Sequence, residues 1–332
     1  HLQQRGGVGV SKYILKRLLQ MIPIVFGVSV IVFLLLSLSP GDPAKMILGL
    51  NAKEEELELM REQLGLNDPI PVQYFTYMKN VLVGDFGTSY STKQNVIEMI
   101  AVRLPPTLIL SFGSLITILV VAIPLGIALA VKQNSPFDNI MRVVSLFFAA
   151  MPGFWIGILM IILFSVQLGW LPANGFDSPS AMIMPIICSS IAGWAVNSRI
   201  TRASMLDVIR QDYIRTARAK GLKESVVIRK HALKNALLPT ITSVGMAVGG
   251  CFGGSVIMEM LFGINGMGKM MVDALRQKDI PTIMAGVIIT SVIIAVANLL
   301  TDLAYSYVDP RIRSMYARGR KQRKEVAGNG TH

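Results

Sequence analysis

Four places in this 332-residue chain hold residue types that do chemistry elsewhere. Gly263–Met270 reads GINGMGKM, with the two glycines and the lysine spaced as in a phosphate loop. A phosphate loop cradles its anion with backbone amides. It needs Ser or Thr after the lysine for Mg²⁺, a strand before it and a helix after it. Met270 has no hydroxyl and the flanks are apolar, so the segment does not read as a nucleotide site. Asp302 follows Asn298 near the end of the last apolar run, and an acid inside a membrane segment is a candidate proton relay. An ion pair with Arg199 or Arg202 is the favoured reading of it. Cys188 and Cys251 lie in apolar runs without metal-ligand spacing, and His231 sits among cations as a surface imidazole. The fourth place is the basic, alanine-rich stretch Asp212–Pro239, DYIRTARAKGLKESVVIRKHALKNALLP.

The elements that must carry these residues are membrane helices. The chain is 52% hydrophobic and only 16% charged, against roughly 25% in a soluble domain. Six runs are long or nearly long enough for the roughly 20 helical residues that cross a bilayer: Leu18–Leu38, Leu108–Val131, Val143–Leu168, Ala181–Val196, Leu237–Val256 and Pro281–Leu300. The first is too long for a signal-peptide core, and no small-residue cleavage site follows it. With the N-terminus inside, the inner segments hold 23 Lys and Arg and the outer ones 9. This asymmetry predicts an all-α polytopic membrane protein with six transmembrane helices, N-in and C-in. It also accounts for the net charge of +12, which therefore does not imply nucleic acid.

The predicted organisation is a loose leader at 1–11, whose missing initial Met points to processing or an added segment, and a first span at 12–38. A folded outer loop follows at 39–106. Further spans are at 107–131, 140–168 and 180–197, then an inner loop at 198–235, a fifth span at 236–257, an outer loop at 258–280 and a sixth span at 281–306. A basic inner tail at 309–332 lies near anionic lipid. In the outer loop, Ala52–Leu64 has helical spacing and Gly65 at its end, and an aromatic cluster of Tyr74, Phe75 and Tyr77 follows. That loop reads as a cap on the bundle or as a docking surface for a soluble partner. The fifth span is rich in glycine, which permits close helix approach.

The basic inner loop reads as two helices. In the first, Met205, Ile209, Tyr213 and Ala217 share a face at i+4 spacing, and Gly221 ends it in the left-handed conformation. The second begins near Glu224–Ser225 and sets Ile228, Ala232 and Leu233 against Arg229, Lys230 and Lys234. An amphipathic linker on the inner surface accounts for the pattern. So does a knob of small side chains, Ala217 and Ala219, ringed by cations for an acidic partner.

This loop resembles the EAA loop of ABC-importer permeases. The likeness extends over LSLSPGDPA (36–44), LGLNDPIPVQY (64–74), GDFGTSY (84–90), RLPPTL (103–108), MPGFWIG (151–157), LGWLPANG (168–175), RASMLDVIRQDYIRTARAKGL (202–222), KHALKNALLP (230–239), FGINGMG (262–268) and VDPRIR (308–313). Together they resemble the large-outer-loop permeases of the dipeptide, oligopeptide and nickel family. The resemblance implies a type I ABC importer permease fold with no ATPase site of its own. ATP and Mg would be bound by two partner ATPase subunits, beside a second homologous permease and an extracytoplasmic solute-binding protein, in a bacterial inner membrane. It implies that Arg215, Thr216, Ala217, Arg218, Ala219, Lys220, Gly221 and Leu222 dock on an ATPase subunit. It also implies that span five lines the path, with Ser243, Met246 and Met258 as candidates. The motif departs from its usual Glu-Ala-Ala opening, having Arg215-Thr216-Ala217, so no role for a glutamate carries over. Peptides are the implied cargo, with nickel or another metal chelate as the alternative. A stand-alone proton-coupled transporter or channel using Asp302, and a membrane scaffold, are the readings from other classes.

Overall fold

The computed structural model describes residues 7–49 and 51–308. Asp302 has its backbone there but not its side chain, and the basic tail lies outside the described residues. Thirteen helical stretches follow one another, with no strand among the described residues. They are α1 (Gly7–Leu38), α2 (Pro43–Leu48), α3 (Glu54–Gln63), α4 (Ile70–Leu82), α5 (Val96–Val131), α6 (Pro136–Ala150) and α7 (Gly153–Met160), which runs on as a π-helix to Gln167. Then come α8 (Pro179–Ile209), α9 (Asp212–Ala219) and α10 (Glu224–Val226), which a π-turn over Val227–Ala232 joins to α11 (Leu233–Leu261), and finally α12 (Met267–Arg276) and α13 (Ile280–Val308).

Five of these helices are long and apolar enough to cross a membrane. The broken pair α6 and α7 makes a sixth span if counted as one. The third span expected at 140–168 falls on this pair and is made of two helices. The cause is local. Pro152 disfavours the helical conformation at the residue before it, and Met151 is extended, at φ −82° and ψ 135°. The fourth span is longer than expected, because α8 continues to Ile209 through Ser198 and Thr201. Those hydroxyls lower the hydropathy yet are satisfied inside the helix, bonding back to the Ala195 and Asn197 carbonyls. In the same way α5 starts at Val96 and runs through Pro105 and Pro106, and α12 occupies what reads as a loop.

The described chain divides into two compact units. The first comprises, among the described residues, 7–113, 154–189 and 251–296. In it the outer segment packs through Phe33, Tyr74, Met284 and Ile288, and through a second cluster of Val96, Ile100, Met267, Met270 and Ala285. The expected helix in Ala52–Leu64 is α3, with Leu57 buried and Gly65 at φ +66° after its end. Arg61 ties α3 to the N-cap of α2, reaching Asp42 at 2.6 Å as well as Glu54 and Glu58.

The second unit comprises, among the described residues, 114–153, 190–250 and 297–308. Here α5 and α8 touch at their backbones. A Cβ on Gly126 would lie 2.5 Å from the Thr201 Cβ and 2.7 Å from the Ser198 carbonyl. Thr201 also shares a buried 2.7 Å hydrogen bond with Thr240 on α11. Small and hydroxyl side chains thus hold α5, α8 and α11 at close range.

Candidate functional site

The basic segment folds as a turn on an apolar platform. The core beneath it consists of Ala130, Met205, Ile214, Ala217, Val227, Ile228, Ala232 and Ala236, with Ile127 packed against them. These residues come from the ends of α5 and α8, from α9, and from the π-turn leading into α11. α9 ends at Ala219 with Lys220 as its C-cap, and Gly221 takes φ +76°. That is the left-handed position a glycine fills without a Cβ clash, as the sequence predicts. The next helix begins at Glu224, also as expected.

The register differs from the expected one. Met205 and Ala217 are buried, but Ile214 takes the inner place instead of Tyr213, which is 43% exposed. The i+4 run assumes one continuous helix, and the chain breaks at Arg210–Gln211 before restarting at Asp212. The Tyr213 hydroxyl accepts a 2.9 Å bond from the Asn235 amide instead.

Of the eight residues expected at a docking surface, Arg215, Thr216, Arg218, Ala219, Lys220, Gly221 and Leu222 are exposed. Ala217 is the exception. It is 6% exposed and belongs to the platform, so its side chain is not offered to a partner. The turn is braced by a fork of hydrogen bonds from Arg218 to Glu224, at 3.0 and 2.7 Å. The fork keeps the Glu224 carboxyl below its ordinary value, against the opposing effect of burial, and raises the Arg218 guanidinium. No atom lies within 4 Å of where a Gly221 Cβ would stand. The tip is therefore open, cationic and small, on a base that is closed.

Beside the platform lies an ion pair that the sequence reading missed. Arg202 on α8 donates two hydrogen bonds of 2.7 Å to Asp138, whose side chain is fully buried at the start of α6. The Asn134 amide donates a third, at 3.0 Å. The sequence offers Arg199 or Arg202 as the partner of Asp302; of the two, Arg202 is engaged elsewhere. Its partner is Asp138, because the short turn between α5 and α6 sets that carboxylate against α8. Asp302 itself lies outside the described side chains.

The candidates on span five separate. Met246 is 80% exposed, on one face of α11 with Thr242 and Gly250, and Ser243 is half-buried next to it. Met258 is 5% exposed and packs in the interior, so it lines no open surface here.

In the first unit, Gly263–Met270 has its amides occupied from within the chain. The Lys269 amide donates to Glu259 at 2.8 Å, and the Met267 amide donates to the Thr107 hydroxyl at 2.8 Å. A fully buried carboxylate thus stands where a phosphate loop would hold its anion. Lys269 turns its ammonium to Asn265. Glu259 was overlooked, although a lone acid at the end of an apolar run is the signal applied to Asp302. Cys188 is buried against the Met160 sulfur, in keeping with a small hydrophobe.

Comparison with known proteins decides the class. Residues 122–314 match the family described as the binding-protein-dependent transport system inner membrane component, and residues 10–111 match its N-terminal part. This chain belongs to that family. It is similar to the oligopeptide transport system permease protein AppB of Bacillus subtilis, at 41% identity over 91% of this chain and 99% of the relative. It is similar also to the glutathione transport system permease protein GsiC of Escherichia coli, at 40% identity over 91% and 98%. Among solved structures, a chain of the inward-facing MetNI methionine ABC transporter overlays with a TM-score of 0.55. That likeness has 19% identity and covers 64% of this chain and 97% of the other. It shows a fold shared with that transporter chain. The chain is accordingly a multi-pass membrane permease subunit, as its residues predict.

Proposed function

We propose that this permease forms half of the translocation path of an ATP-driven importer in a bacterial inner membrane, and that its cargo is a peptide. The relatives named above carry oligopeptide and glutathione in their names, and this chain aligns with nearly their whole length. In this reading a second homologous permease completes the path and a solute-binding protein delivers cargo from outside. Two ATPase subunits, which bind the ATP and Mg, sit on the inner side. Met246 and Ser243 face the path.

The observation that carries the mechanism is the open cationic turn on its closed platform. Arg215, Thr216, Arg218, Ala219, Lys220, Gly221 and Leu222 form the contact with an ATPase subunit. When the ATPase subunits close around ATP they pull this turn. The platform core ties the turn to the ends of α5, α8 and α11, so the pull reaches three spans as a rigid movement. The Arg202–Asp138 pair adds α6 to the moving group. Small residues at the tip allow close approach, and the surrounding cations favour an acidic rim.

Purification of the tagged permease from its native membrane in mild detergent tests this. The expected result is co-purification of an ATPase, a second permease and an outer binding protein that carries a bound peptide. Transport by the isolated chain without an ATPase, sensitive to Asp302→Asn, would overturn it in favour of a proton-coupled carrier. A binding protein loaded with nickel or a metal chelate would overturn the cargo alone.

A further inference from the structure

The outer segment between the first two spans reads from sequence as a cap on the bundle or a docking surface for a soluble partner. Its helix α4 packs on the first and last spans. Tyr74 of α4 is 6% exposed and its hydroxyl shares a buried 2.8 Å hydrogen bond with Ser29 of α1. Its ring meets Phe26 edge-on at 6.0 Å and Phe33 at 5.4 Å between centroids. The apolar window of α1 is Arg17–Leu38, with basic residues before it. At about 1.5 Å per residue, Phe26 lies about 18 Å along the axis from Leu38. A hydrocarbon core about 30 Å thick needs the whole of that window, so Phe26, Ser29 and Phe33 are at membrane depth. A second span gives the same depth. The α4 cluster includes Met284 and Ile288 of α13, whose apolar window opens at Ile280. Ile288 is therefore about 12 Å inside that end.

The side of α4 turned away from these contacts is apolar and open. Val72 is 47% exposed, Phe75 63%, Leu82 84% and Val83, just past the helix end, 79%. They recur at helical spacing, and Phe75 continues directly from Tyr74, with ring centroids at 5.6 Å. Lys79 stands in the same stripe, where a long stem can lie on hydrocarbon and raise its ammonium to the headgroups. Thr76 and Asn80 occupy the adjoining side and are exposed. The helix thus has one face on protein, one apolar face and one polar edge, the three environments at a bilayer boundary. The exposed apolar face also continues that of α1, where Ile22, Phe26 and Leu34 are open.

We propose that α4 is embedded in the outer leaflet and that the face of Val72, Phe75 and Leu82 lies against lipid acyl chains. It anchors the outer segment to the membrane, and this holds whatever the cargo is. A second permease on the same face is the rival occupant.

The test uses the assembled transporter in phosphatidylcholine–phosphatidylglycerol nanodiscs, with Cys188→Ser and Cys251→Ser as background. A nitroxide is placed at Phe75→Cys, at Leu82→Cys or at Asn80→Cys, and its collisions with oxygen and with a water-soluble nickel complex are compared. The expected result is a severalfold excess of oxygen over nickel collisions at 75 and 82, and the opposite order at 80. Nickel-dominated collisions at 75 and 82 would place the face in water and overturn the proposal. Labels at 75 and 82 shielded from both reagents would assign the face to a protein partner and overturn it too. Two apolar-face sites keep the test open if one variant fails to assemble.

Discussion

The Glu259 carboxylate accepts a 2.6 Å hydrogen bond from the Thr107 hydroxyl, joining residues 152 positions apart. Glu259 also takes the Lys269 amide, while Thr107 takes the Met267 amide. The middle of α5, the end of α11 and the start of α12 thus meet at one buried carboxylate. Its removal strands buried donors, among them the Thr107 hydroxyl and the Lys269 amide, at about 1–3 kcal/mol for each unpaired group. We expect Glu259→Leu to lower the thermal stability of the purified complex strongly. Glu259→Gln, which keeps one acceptor oxygen, should lower it less. A melting temperature for Glu259→Leu equal to that of the unaltered protein would show that the carboxylate does not hold this junction.

The Arg202–Asp138 pair is the corresponding tie in the other unit. Breaking a buried pair leaves one charge uncompensated and costs about 3–5 kcal/mol, whereas an apolar replacement of both partners is often neutral. Asp138→Leu and Arg202→Leu should each destabilise the protein, and the double variant should be more stable than either single one. Additive losses in chemical-denaturant unfolding would contradict the pairing.

Acid should loosen the outer segment through Asp42. Burial alone would raise this carboxyl, but the hydrogen bonds from Arg61 and the Ala44 amide, with the nearby charge, outweigh it and lower it below its ordinary 3.8. A depressed carboxyl contributes its full stability above the ordinary value and loses it as pH falls through the lowered one. Amide exchange in Pro43–Gln63, corrected for its intrinsic pH dependence, should therefore stay level at neutral pH and rise only below 3.8. In Arg61→Gln the extra protection should be missing at neutral pH and the acid step should be smaller. A step near neutral pH would contradict the assignment to Asp42.

The bracing of the turn by Arg218 and Glu224 is exposed, so its effect on global stability is small, about 0.2–1 kcal/mol at most. Its effect on the shape of the tip should be larger. Glu224→Ala should leave insertion and assembly unchanged yet reduce ATP-dependent uptake. Full uptake by this variant would mean that the platform alone sets the turn.

Much of this architecture is legible in the sequence, for physical reasons that also explain the rest. Apolar runs such as Leu18–Leu38 and Leu237–Val256 are plain because lipid imposes length and composition together. Gly221 is plain because the left-handed conformation selects glycine. The extension of α8 past Val196 is hidden because Asn197, Ser198, Arg199, Thr201 and Arg202 end the apolar run, although the Ser198 and Thr201 hydroxyls bond back to their own helix. The break at Met151–Pro152 is hidden because prolines are common in spans, and Pro105 and Pro106 sit inside α5 without ending it. Glu259, Asp138 and Ala217 take their roles from neighbours far along the chain, which no local pattern encodes.

The claim that matters most is that the Arg215–Leu222 turn receives motion from ATP-hydrolysing partners. Uptake and ATP hydrolysis, measured together in proteoliposomes that hold the whole complex, test it most directly. Asparagine tolerates a positive φ better than other side chains with a Cβ, so Gly221→Asn should keep uptake per ATP close to normal. Gly221→Trp puts a bulky ring at an open tip with φ +76°. It should leave hydrolysis running while uptake per ATP falls severalfold. Normal uptake per ATP by the tryptophan variant would contradict the account.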